Sequence, residues 1–369
     1  MTKVPSQSCL FFSLSSVLFA VGCGALANAN DDASVDASMT PDGGIQDANA
    51  AGPILTPEPT PPIELARWGA MTARLSDSEM LVAHGFTGFP KSATSADVFR
   101  VKRDASGFKT TAVKSSGAIP PATSRANLFA SAAMDRAYLI GGRTSGTSVS
   151  DNTVYELTIS SGNWTKLALD TYPKAFLACG NFMHPSKAIG YQFGGASASG
   201  YSQETWAFDF SGTTPKWRLI ENKEEALTAR FDPSIALSTD GKYAYLFGGG
   251  TGVQPTAAYR NDVWQFDFES ERWTLLYANS ADGPIARRGA WIVAQNGKLF
   301  MAGGEPAQDS VKDFWQFDLT TKVWTQIAES VGFDEAVFPL ALTFDKTSWL
   351  VGGYVQAGLA TNQTSFVLQ

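Results

Sequence analysis

The chain is poor in the residues that most often carry catalysis or bind metals. Its 369 residues include three cysteines and two histidines. Neither His84 nor His184 belongs to a metal-binding spacing such as His-Glu-x-x-His. Only Cys179 lies beyond the first 23 residues, so the rest of the chain cannot form an internal disulfide. With no Gly-rich phosphate loop or nucleophile elbow either, the sequence predicts no catalytic residue, no metal site and no cofactor.

Basic stripes and long apolar runs are scarce too. The net charge is −7, but residues 1–62 hold six acids and one base, which leaves 29 acids and 27 bases in the remainder. Without a basic patch the sequence predicts no nucleic-acid partner. An apolar run from Leu10 to Gly22 has thirteen residues, whereas spanning a bilayer takes roughly 20.

That run, preceded by Lys3, has the pattern of a secretory signal, so the protein is predicted to be exported. Two processing sites compete. Ala20-Val21-Gly22-Cys23 resembles a bacterial lipobox, in which Cys23 is lipidated and becomes the first mature residue. Cleavage after Ala27 would instead give a periplasmic or secreted protein. We expect residues 1–23 to be the signal and the mature protein to be a lipoprotein of the outer membrane or cell surface. It is expected to contact the membrane through its lipid anchor only.

Residues 24–60 are predicted to be a disordered linker. The segment is rich in Ala, Asp and Pro, contains five aspartates and Glu58, and has no Lys or Arg. Large apolar side chains are nearly absent, so it cannot bury enough surface to fold. Like charges and prolines favour an extended chain. It is interpreted as a spacer between a membrane and the folded part.

A pair of glycines at the end of a short apolar run recurs along the rest of the chain. Measured on the second glycine, the copies are 57, 53, 54, 55 and 49 residues apart. A period near 50 is typical of propellers. The copies are Gly141-Gly142, Gly194-Gly195, Gly248-Gly249, Gly303-Gly304 and Gly352-Gly353, preceded by a degenerate His84-Gly85.

Two aromatic residues follow most of these pairs at regular distances. The first comes 11 to 15 residues after the second glycine and the next nine residues later, or eleven at Trp217. Alternating segments such as Val263–Phe268 have strand periodicity. Each unit is therefore predicted to form four short antiparallel strands. The first aromatics are Phe99, Tyr155, Trp206, Trp264, Trp315 and Phe366, and the second are Phe108, Trp164, Trp217, Trp273 and Trp324.

These residues resemble kelch repeats over about residues 63–369. The resemblance implies an all-β fold, a six-bladed β-propeller with four-stranded antiparallel blades, assigned to residues 61–369. Six copies fit the usual range of blade numbers. The last copy ends at Gln369 without a fourth strand. A strand around Ile54 to Thr56 is predicted to supply it and to close the ring.

The position just after each glycine pair differs between copies. In four-stranded blades the loops that follow the second strands lie on the same face as the connections between blades. These positions are therefore predicted to surround one mouth of the central channel, where they would bind a ligand. They are Phe86, Arg143, Ala196, Gly250, Glu305 and Tyr354, with Tyr201 and Tyr259 in the following loops as candidate anchors.

Arginines at the start of the blades are further candidates: Arg67, Arg125, Arg230 and Arg287. Because they recur, two interpretations stand: they bind a ligand at the mouth, or they brace neighbouring blades through backbone carbonyls. The kelch resemblance implies the first, since kelch domains that bind acidic peptides use arginines at this site. Cys179, in an apolar strand, is predicted to be a small buried side chain.

Three functions remain open. The favoured one is a non-enzymatic, monomeric module, tethered to the envelope, that binds a protein or peptide at the mouth. The second is a carbohydrate-binding or sugar-modifying protein similar to kelch-type sialic-acid mutarotases, with Glu305 or Glu204 as acid or base. The third is a copper radical oxidase, whose site would need both histidines, tyrosines and Cys179.

Overall fold

The computed structural model describes residues 53–87, 93–144, 152–221, 224–252, 258–307, 311–328, 336–355, 360–361 and 365–368. The predicted signal, Cys23 and the linker up to residue 52 lie outside the described residues. No helix in the described ranges has the length and apolar character needed to cross a membrane.

Six four-stranded antiparallel sheets are arranged as blades around an axis, as the repeats predict. The first strand of every blade contacts the first strands of both neighbours, so the ring is closed. In blades 1 to 3 the strands are Met71–Ser76, Glu79–Ala83, Val98–Asp104, Gly107–Ala112; Asn127–Ser131, Arg136–Ile140, Val154–Thr158, Asn163–Leu167; and Gly180–Met183, Ile189–Phe193, Thr205–Asp209, Lys216–Ile220.

Blades 4 and 5 repeat this order, and blade 6 takes its fourth strand from the N-terminal side. Their strands are Ser234–Leu237, Tyr243–Phe247, Val263–Asp267, Arg272–Tyr277; Trp291–Gln295, Lys298–Ala302, Phe314–Asp318, Trp324–Ala328; and Leu340–Phe344, Thr347–Val351, Ser365–Leu368, Leu55–Glu58.

Short two-residue strands follow each glycine pair and form small ladders at one end of the blades. Two single-turn 3-10 helices occur within the described ranges, at Ile63–Leu65 and Ala132–Met134. Ser116–Gly117 adds a parallel fifth strand to blade 2. The remaining short strands are Phe86–Thr87, Ala93–Thr94, Thr123–Ser124, Arg143–Thr144, Ala196–Ser197, Gly200–Tyr201, Gly250–Thr251, Ala258–Tyr259, Arg287–Arg288, Glu305–Pro306, Tyr354–Val355 and Ala360–Thr361.

Large aromatic side chains fill the space between neighbouring blades. Trp273 of blade 4 packs against Phe193 of blade 3 with ring centroids 5.4 Å apart. Trp324 of blade 5 packs in the same way on Phe247 of blade 4, at 5.5 Å. Both tryptophans are buried. The repeated second aromatic is therefore a core residue that joins neighbouring blades.

The second glycine of every pair donates its backbone N–H to the start of the next blade. Gly195 bonds to the Arg230 carbonyl at 2.8 Å and Gly249 to the Arg287 carbonyl at 2.9 Å. The first glycine is needed because the chains approach closely: a Cβ on Gly194 would lie 2.6 Å from the Arg230 oxygen, at a φ of +68°. The other members of this ring are Gly85 to Thr123, Gly142 to Phe176, Gly304 to Ala336 and Gly353 to Arg67.

The closing strand, Leu55–Glu58, confirms the predicted origin of the outer strand of blade 6. It pairs antiparallel with Ser365–Leu368, placing Leu55 opposite Leu368 and Glu58 opposite Ser365. Leu55 is buried, and Glu58 forms an ion pair with Arg103 of blade 1. This strand lies inside the stretch 24–60 assigned to the linker, so that boundary is corrected: the propeller begins before residue 61, because pairing and burial order these residues.

Candidate binding site at the channel mouth

One residue of each blade lies on a closed ring of backbone hydrogen bonds at the end of the molecule that carries the glycine pairs. All six have a left-handed backbone, with φ between +51° and +59°. Each N–H bonds to the carbonyl of the equivalent residue in the preceding blade, at distances such as 2.7 Å for Arg125 to Gly69 and 2.7 Å for Asp232 to Ala178. The six are Gly69, Arg125, Ala178, Asp232, Gly289 and Phe338, here called the axial ring.

Side chains of the axial ring alternate in size. Glycine or alanine stands in blades 1, 3 and 5, whereas blades 2, 4 and 6 carry Arg125, Asp232 and Phe338. The small residues leave room for the three large ones to meet. Arg125 Nη1 donates to Asp232 Oδ2 at 2.7 Å, and its guanidinium carbon lies 5.5 Å from the centre of the Phe338 ring. Blades 2, 4 and 6, which are not neighbours in the ring, are thus connected across the axis.

A second arginine reaches the same carboxylate. Arg288 lies 3.1 Å from Asp232 through Nη1 and 2.9 Å from each carboxylate oxygen of Glu305 through Nη2. Burial lowers the pKa of Arg288, but Asp232 and Glu305 outweigh that effect, and the net shift is upward. Arg125, Asp232, Arg288 and Glu305, here called the mouth cluster, therefore hold two cations and two anions in mutual contact.

Aromatic rings form the other half of the mouth. Trp68 stacks on Phe86 with centroids 4.2 Å apart, lies 5.7 Å from Tyr354 and 6.1 Å from Phe338. Trp68 and Tyr354 are partly exposed, whereas Phe86 is buried. Phe338 connects this aromatic group to the mouth cluster, because Arg288 also lies 5.5 Å from its ring.

Arg143 is an exposed cation close to Arg125 of the axial ring. It pairs by backbone with Ser124, next to Arg125. Partial burial and the charge of Arg125 lower the pKa of Arg143. Within the described residues no hydrogen bond or ion pair of its side chain is found. Arg143 therefore offers a guanidinium with free donors at the mouth.

The structure thus places Phe86, Arg143, Glu305 and Tyr354 around one opening. Each is in a short ladder with the start of its own blade, and the partners at that start are Trp68 for Phe86, Arg288 for Glu305 and Val337 for Tyr354. Tyr201 stacks on Phe231 at 5.2 Å, and Tyr259 lies 5.8 Å from Arg288, so both candidate anchors belong to the same end of the molecule.

The arginines at the blade starts require a correction. Arg67, Arg230 and Arg287 are 2%, 0% and 0% exposed, so they are not presented to a ligand at the mouth. Arg287 binds both carboxylate oxygens of Asp313, at 2.5 and 2.8 Å, and the Gly303 carbonyl at 2.9 Å. Arg230 repeats this with Asp262 and Gly248.

The alternative interpretation is that these arginines brace neighbouring blades through backbone carbonyls. They do bond to backbone carbonyls, but those carbonyls belong to the same blade as the arginine. Arg67 donates to the His84 carbonyl of its own blade at 2.6 Å. Trp264 and Trp315 complete the clusters by donating to Asp262 and Asp313 at 2.8 and 2.7 Å. These arginine–carboxylate–tryptophan groups are here called the blade clusters. Backbone hydrogen bonds between neighbouring blades are made instead by groups such as the glycine amides and the axial ring.

Arg125 does not belong with those three arginines. The Gly85 N–H bonds to the Thr123 carbonyl, as Gly249 bonds to Arg287, so Thr123 is the equivalent residue in blade 2. Arg125 lies two residues later, on the axial ring. It is the only one of the four predicted arginines that reaches the mouth.

The axial ring lies at one end of a cavity of about 220 Å³ that follows the channel. Its walls come from the first strands and the axial ring of all six blades, including Arg125, Asp232 and Phe338. Small and apolar residues such as Ala126, Ala290 and Ile292 line it below the mouth. The mouth cluster therefore sits between the exterior and the channel.

His84 and His184 lie outside the mouth cluster, whereas Cys179 directly follows Ala178 of the axial ring and lines the channel cavity. His84 is fully buried at a glycine position of blade 1. His184 caps a hairpin at the opposite end of blade 3 and packs on Phe268 at 5.1 Å. Burial raises the pKa of the Cys179 thiol to about 12. In the described ranges no three His, Cys, Asp or Glu side chains are grouped as a metal site would require.

Comparison with known proteins agrees with the architecture. A family model described as the KLHDC2/KLHL20/DRC7 Kelch-repeats domain matches residues 70–304 and 191–366. The chain belongs to the kelch-repeat family. The solved structure of YjhT superposes with a TM-score of 0.62 and 16% identity, covering 83% of this chain and 95% of that one, which supports the kelch propeller fold alone.

Two curated relatives have names of different kinds. N-(sulfonatooxy)prop-2-enimidothioate sulfolyase of Thlaspi arvense is 29% identical over 41% of this chain and 43% of that protein. Kelch domain-containing protein 10 of Xenopus tropicalis is 28% identical over 48% of this chain and 43% of that protein. The chain spans less than half the length of either relative. The first relative is named as an enzyme, whereas the second is named only for its kelch domain.

Sequence reasoning missed four members of this kelch mouth: Trp68, Asp232, Arg288 and Phe338. All four are one or two positions after the residue that accepts the glycine N–H of the preceding blade. The sequence positions of these four residues can be predicted from the repeat once the glycines fix its register. Their contacts across the axis cannot be predicted in this way, because each contact joins residues of different blades.

Proposed function

We propose that this protein is a non-enzymatic binding module, tethered to a cell envelope through lipidated Cys23, that takes a protein or peptide ligand at the channel mouth. The observation that carries the proposal is Arg143, an exposed guanidinium without an acidic partner among the described residues, at a mouth that also carries the partly exposed rings of Trp68 and Tyr354. Loops on a rigid scaffold commonly carry binding. Aromatic residues and arginine are the side chains that contribute most at interfaces.

The mouth also differs from blade to blade, as a recognition surface requires. Phe86 and Tyr354 supply rings, Arg143 a cation and Glu305 an anion at equivalent positions. Glu305 is held by Arg288 through both oxygens, so its charge is fixed in place. A ligand with an acidic residue next to an apolar or aromatic one would complement this arrangement.

The closing strand supports a tethered arrangement. Leu55 pairs with Leu368, at the end of the third strand of blade 6, and third strands run away from the mouth. The chain therefore enters the propeller at the face opposite the mouth. A tether that joins the propeller there leaves the mouth uncovered.

An envelope pull-down tests the ligand proposal. Wild-type protein, the Arg143→Ala/Glu305→Ala variant and the control Glu269→Ala/Arg272→Ala are compared by quantitative mass spectrometry. The control removes the same two charges from an exposed hairpin at the other end of blade 4. We expect at least one partner to be lost by the mouth variant and kept by the control. Retention of every partner by both variants would exclude the mouth as the binding surface.

The anchor has its own test. Intact-mass and peptide analysis of the mature N-terminus should find a diacylglyceryl group on Cys23, and Cys23→Ser should release the protein from the membrane fraction. A free N-terminus after Ala27 would instead establish a periplasmic or secreted protein. This outcome would leave the ligand proposal unaffected.

A sugar ligand is the second candidate, favoured by the exposed part of Trp68, which stacks on Phe86 at 4.2 Å. A supported indole face suits the apolar face of a sugar ring. The acid–base role predicted for Glu305 has no support in its contacts, because Arg288 occupies both of its oxygens. A glycan array with wild type and Trp68→Ala, followed by a mutarotation assay by NMR on any hit, separates binding from catalysis. The copper oxidase is not proposed, because His84 and His184 lie at different ends of different blades.

A further inference from the structure

The mouth contains a carboxylate that belongs to the protein and occupies two arginines. Asp232 is 6% exposed and accepts hydrogen bonds from Arg125 at 2.7 Å and Arg288 at 3.1 Å. These arginines come from blades 2 and 5, whereas Asp232 belongs to blade 4. A charge-assisted pair of this kind is stronger than a neutral hydrogen bond. Both cations are therefore committed to an internal anion.

The fold does not require an acid at this position. The axial ring carries glycine in blades 1 and 5 and alanine in blade 3, all with the same left-handed backbone. The backbone bonds of the ring, such as Asp232 N to the Ala178 oxygen at 2.7 Å, involve no side chain. The carboxylate of Asp232 is therefore not required for closing the ring of backbone hydrogen bonds.

Both arginines keep unused donors. The Nε–H groups of Arg125 and Arg288 have no hydrogen-bond acceptor in the described part of the chain. Arg143, the neighbouring cation, has its pKa lowered by burial and by Arg125. The mouth would thus be strongly cationic if Asp232 were neutral, with three guanidinium groups against Glu305.

We infer that Asp232 is an internal competitor that sets which ligands the mouth accepts. It holds Arg125 and Arg288 and repels a second anion at the axis, so an acidic ligand engages Arg143 at the rim and does not reach the axial ring. This inference rests on the proposed binding function and adds the specificity-determining residue. Ligands with one acidic group next to an apolar group are favoured over highly acidic ones.

The test neutralises the competitor and measures binding of a highly acidic probe. Fluorescein-labelled hexaglutamate is titrated with the full chain by fluorescence anisotropy at two salt concentrations, with hexaglutamine as the uncharged probe. The variants are Asp232→Asn, which keeps the shape and tolerates a left-handed backbone, and Asp232→Gly, which copies blades 1 and 5. Thermal melting of each variant shows that it is folded.

The matched control is Asp262→Asn. It makes the same change in net charge but neutralises the buried partner of Arg230 in a blade cluster. We expect both Asp232 variants to bind hexaglutamate about tenfold more tightly than wild type at low salt, less so at high salt, because exposed charges are screened. Asp262→Asn should change affinity by less than about twofold, as net charge alone acts weakly over distance.

Unchanged hexaglutamate binding in both Asp232 variants would overturn the inference, and so would an equal gain in Asp262→Asn. The result is separable from the proposed function. Tighter hexaglutamate binding together with full partner retention by the Arg143→Ala/Glu305→Ala variant would contradict the binding function while supporting the competitor. Partner loss in that variant with no gain in the Asp232 variants would do the reverse.

Discussion

Two sets of arginines in this propeller have the same chemistry and opposite roles. In the blade clusters, Arg230 and Arg287 are fully buried, and each binds one aspartate through two oxygens. At the mouth, Arg125 and Arg288 share Asp232 across the axis, and Arg143 is exposed. The first set has the same partners in blades 4 and 5, whereas the residues of the second set have no such repeated partners.

The difference shows how to separate scaffold from site in a repeat protein. An arginine that recurs with its aspartate and tryptophan stabilises the unit that recurs. Arg125 and Asp232 are charged residues at axial-ring positions where other blades have glycine or alanine. Their side chains are therefore not required by the repeat, which indicates a role in the site. Four substitutions test this separation.

The largest loss is expected in a blade cluster. Asp313→Ala leaves the buried Arg287 charge unpaired, which should cost about 3–5 kcal/mol of unfolding free energy. Chemical denaturation measures it. Arg218→Ala, which removes an exposed ion pair with Glu271, is the control and should cost less than about 1 kcal/mol. Similar losses in both variants would remove the distinction between buried and exposed arginines.

The glycine pair should come next. In Gly248→Ala the new Cβ would lie 2.5 Å from the Arg287 carbonyl, whereas at Gly297 nothing lies within 4 Å, although both have positive φ. Gly297→Ala should cost about 1 kcal/mol for the backbone, and Gly248→Ala about 3 kcal/mol, because steric overlap is added. Melting curves of the two variants compare them. Equal costs would mean that close approach of neighbouring blades is not what selects glycine.

Blade 1 offers a test by pH, because His84 replaces the first glycine there. Burial, and then the charge of Arg67, lower the pKa of His84 to about 4. The unfolded state, with a value near 6.5, binds the proton more readily, so stability rises with pH across this window. Between pH 6.5 and 4 the wild type should lose about 3 kcal/mol through this group.

The variant His84→Gly, which restores the repeat, isolates that contribution. Its stability should fall less than that of the wild type over the same pH range in parallel denaturation series. The carboxylates common to both proteins cancel in the difference. Identical pH profiles would show that His84 reaches water or a partner in the native state.

The smallest effect is expected at the mouth. Arg143→Ala removes an exposed side chain, so its unfolding free energy should stay within about 0.5 kcal/mol of wild type. Thermal melting next to the envelope pull-down makes the contrast with Asp313→Ala direct. A large loss of stability would place Arg143 in the scaffold and weaken the proposed function.

Local sequence predicted the blades well because the repeat encodes them. The glycines, the paired aromatics and the alternation each follow from backbone geometry and burial within one unit. Asp267 is another contact within one unit: its carboxylate accepts the N–H groups of Glu269 and Ser270 at 3.0 and 2.7 Å. The register of the repeat also predicts which residues surround the mouth, but it does not predict which side chains they contact.

Arg125 shows where sequence reasoning failed. Residue type alone groups it with Arg67, whereas the glycine amides show that Thr123 is the equivalent residue. A shift of two residues moves a side chain from a buried cluster to the axis. The salt bridge to Asp232 joins positions 107 residues apart, and no periodic pattern within a blade contains that information.

The closing strand has a mechanical consequence. A pull on the N-terminal side of the chain is applied first at Leu55, the end of a four-residue strand. Glu58 at its other end is paired with Arg103, whose guanidinium lies 5.5 Å from Phe108 of blade 1 and 4.9 Å from Trp349 of blade 6. Tension would thus be shared by the two blades that meet at the seam, and the ring would resist opening under load as one body.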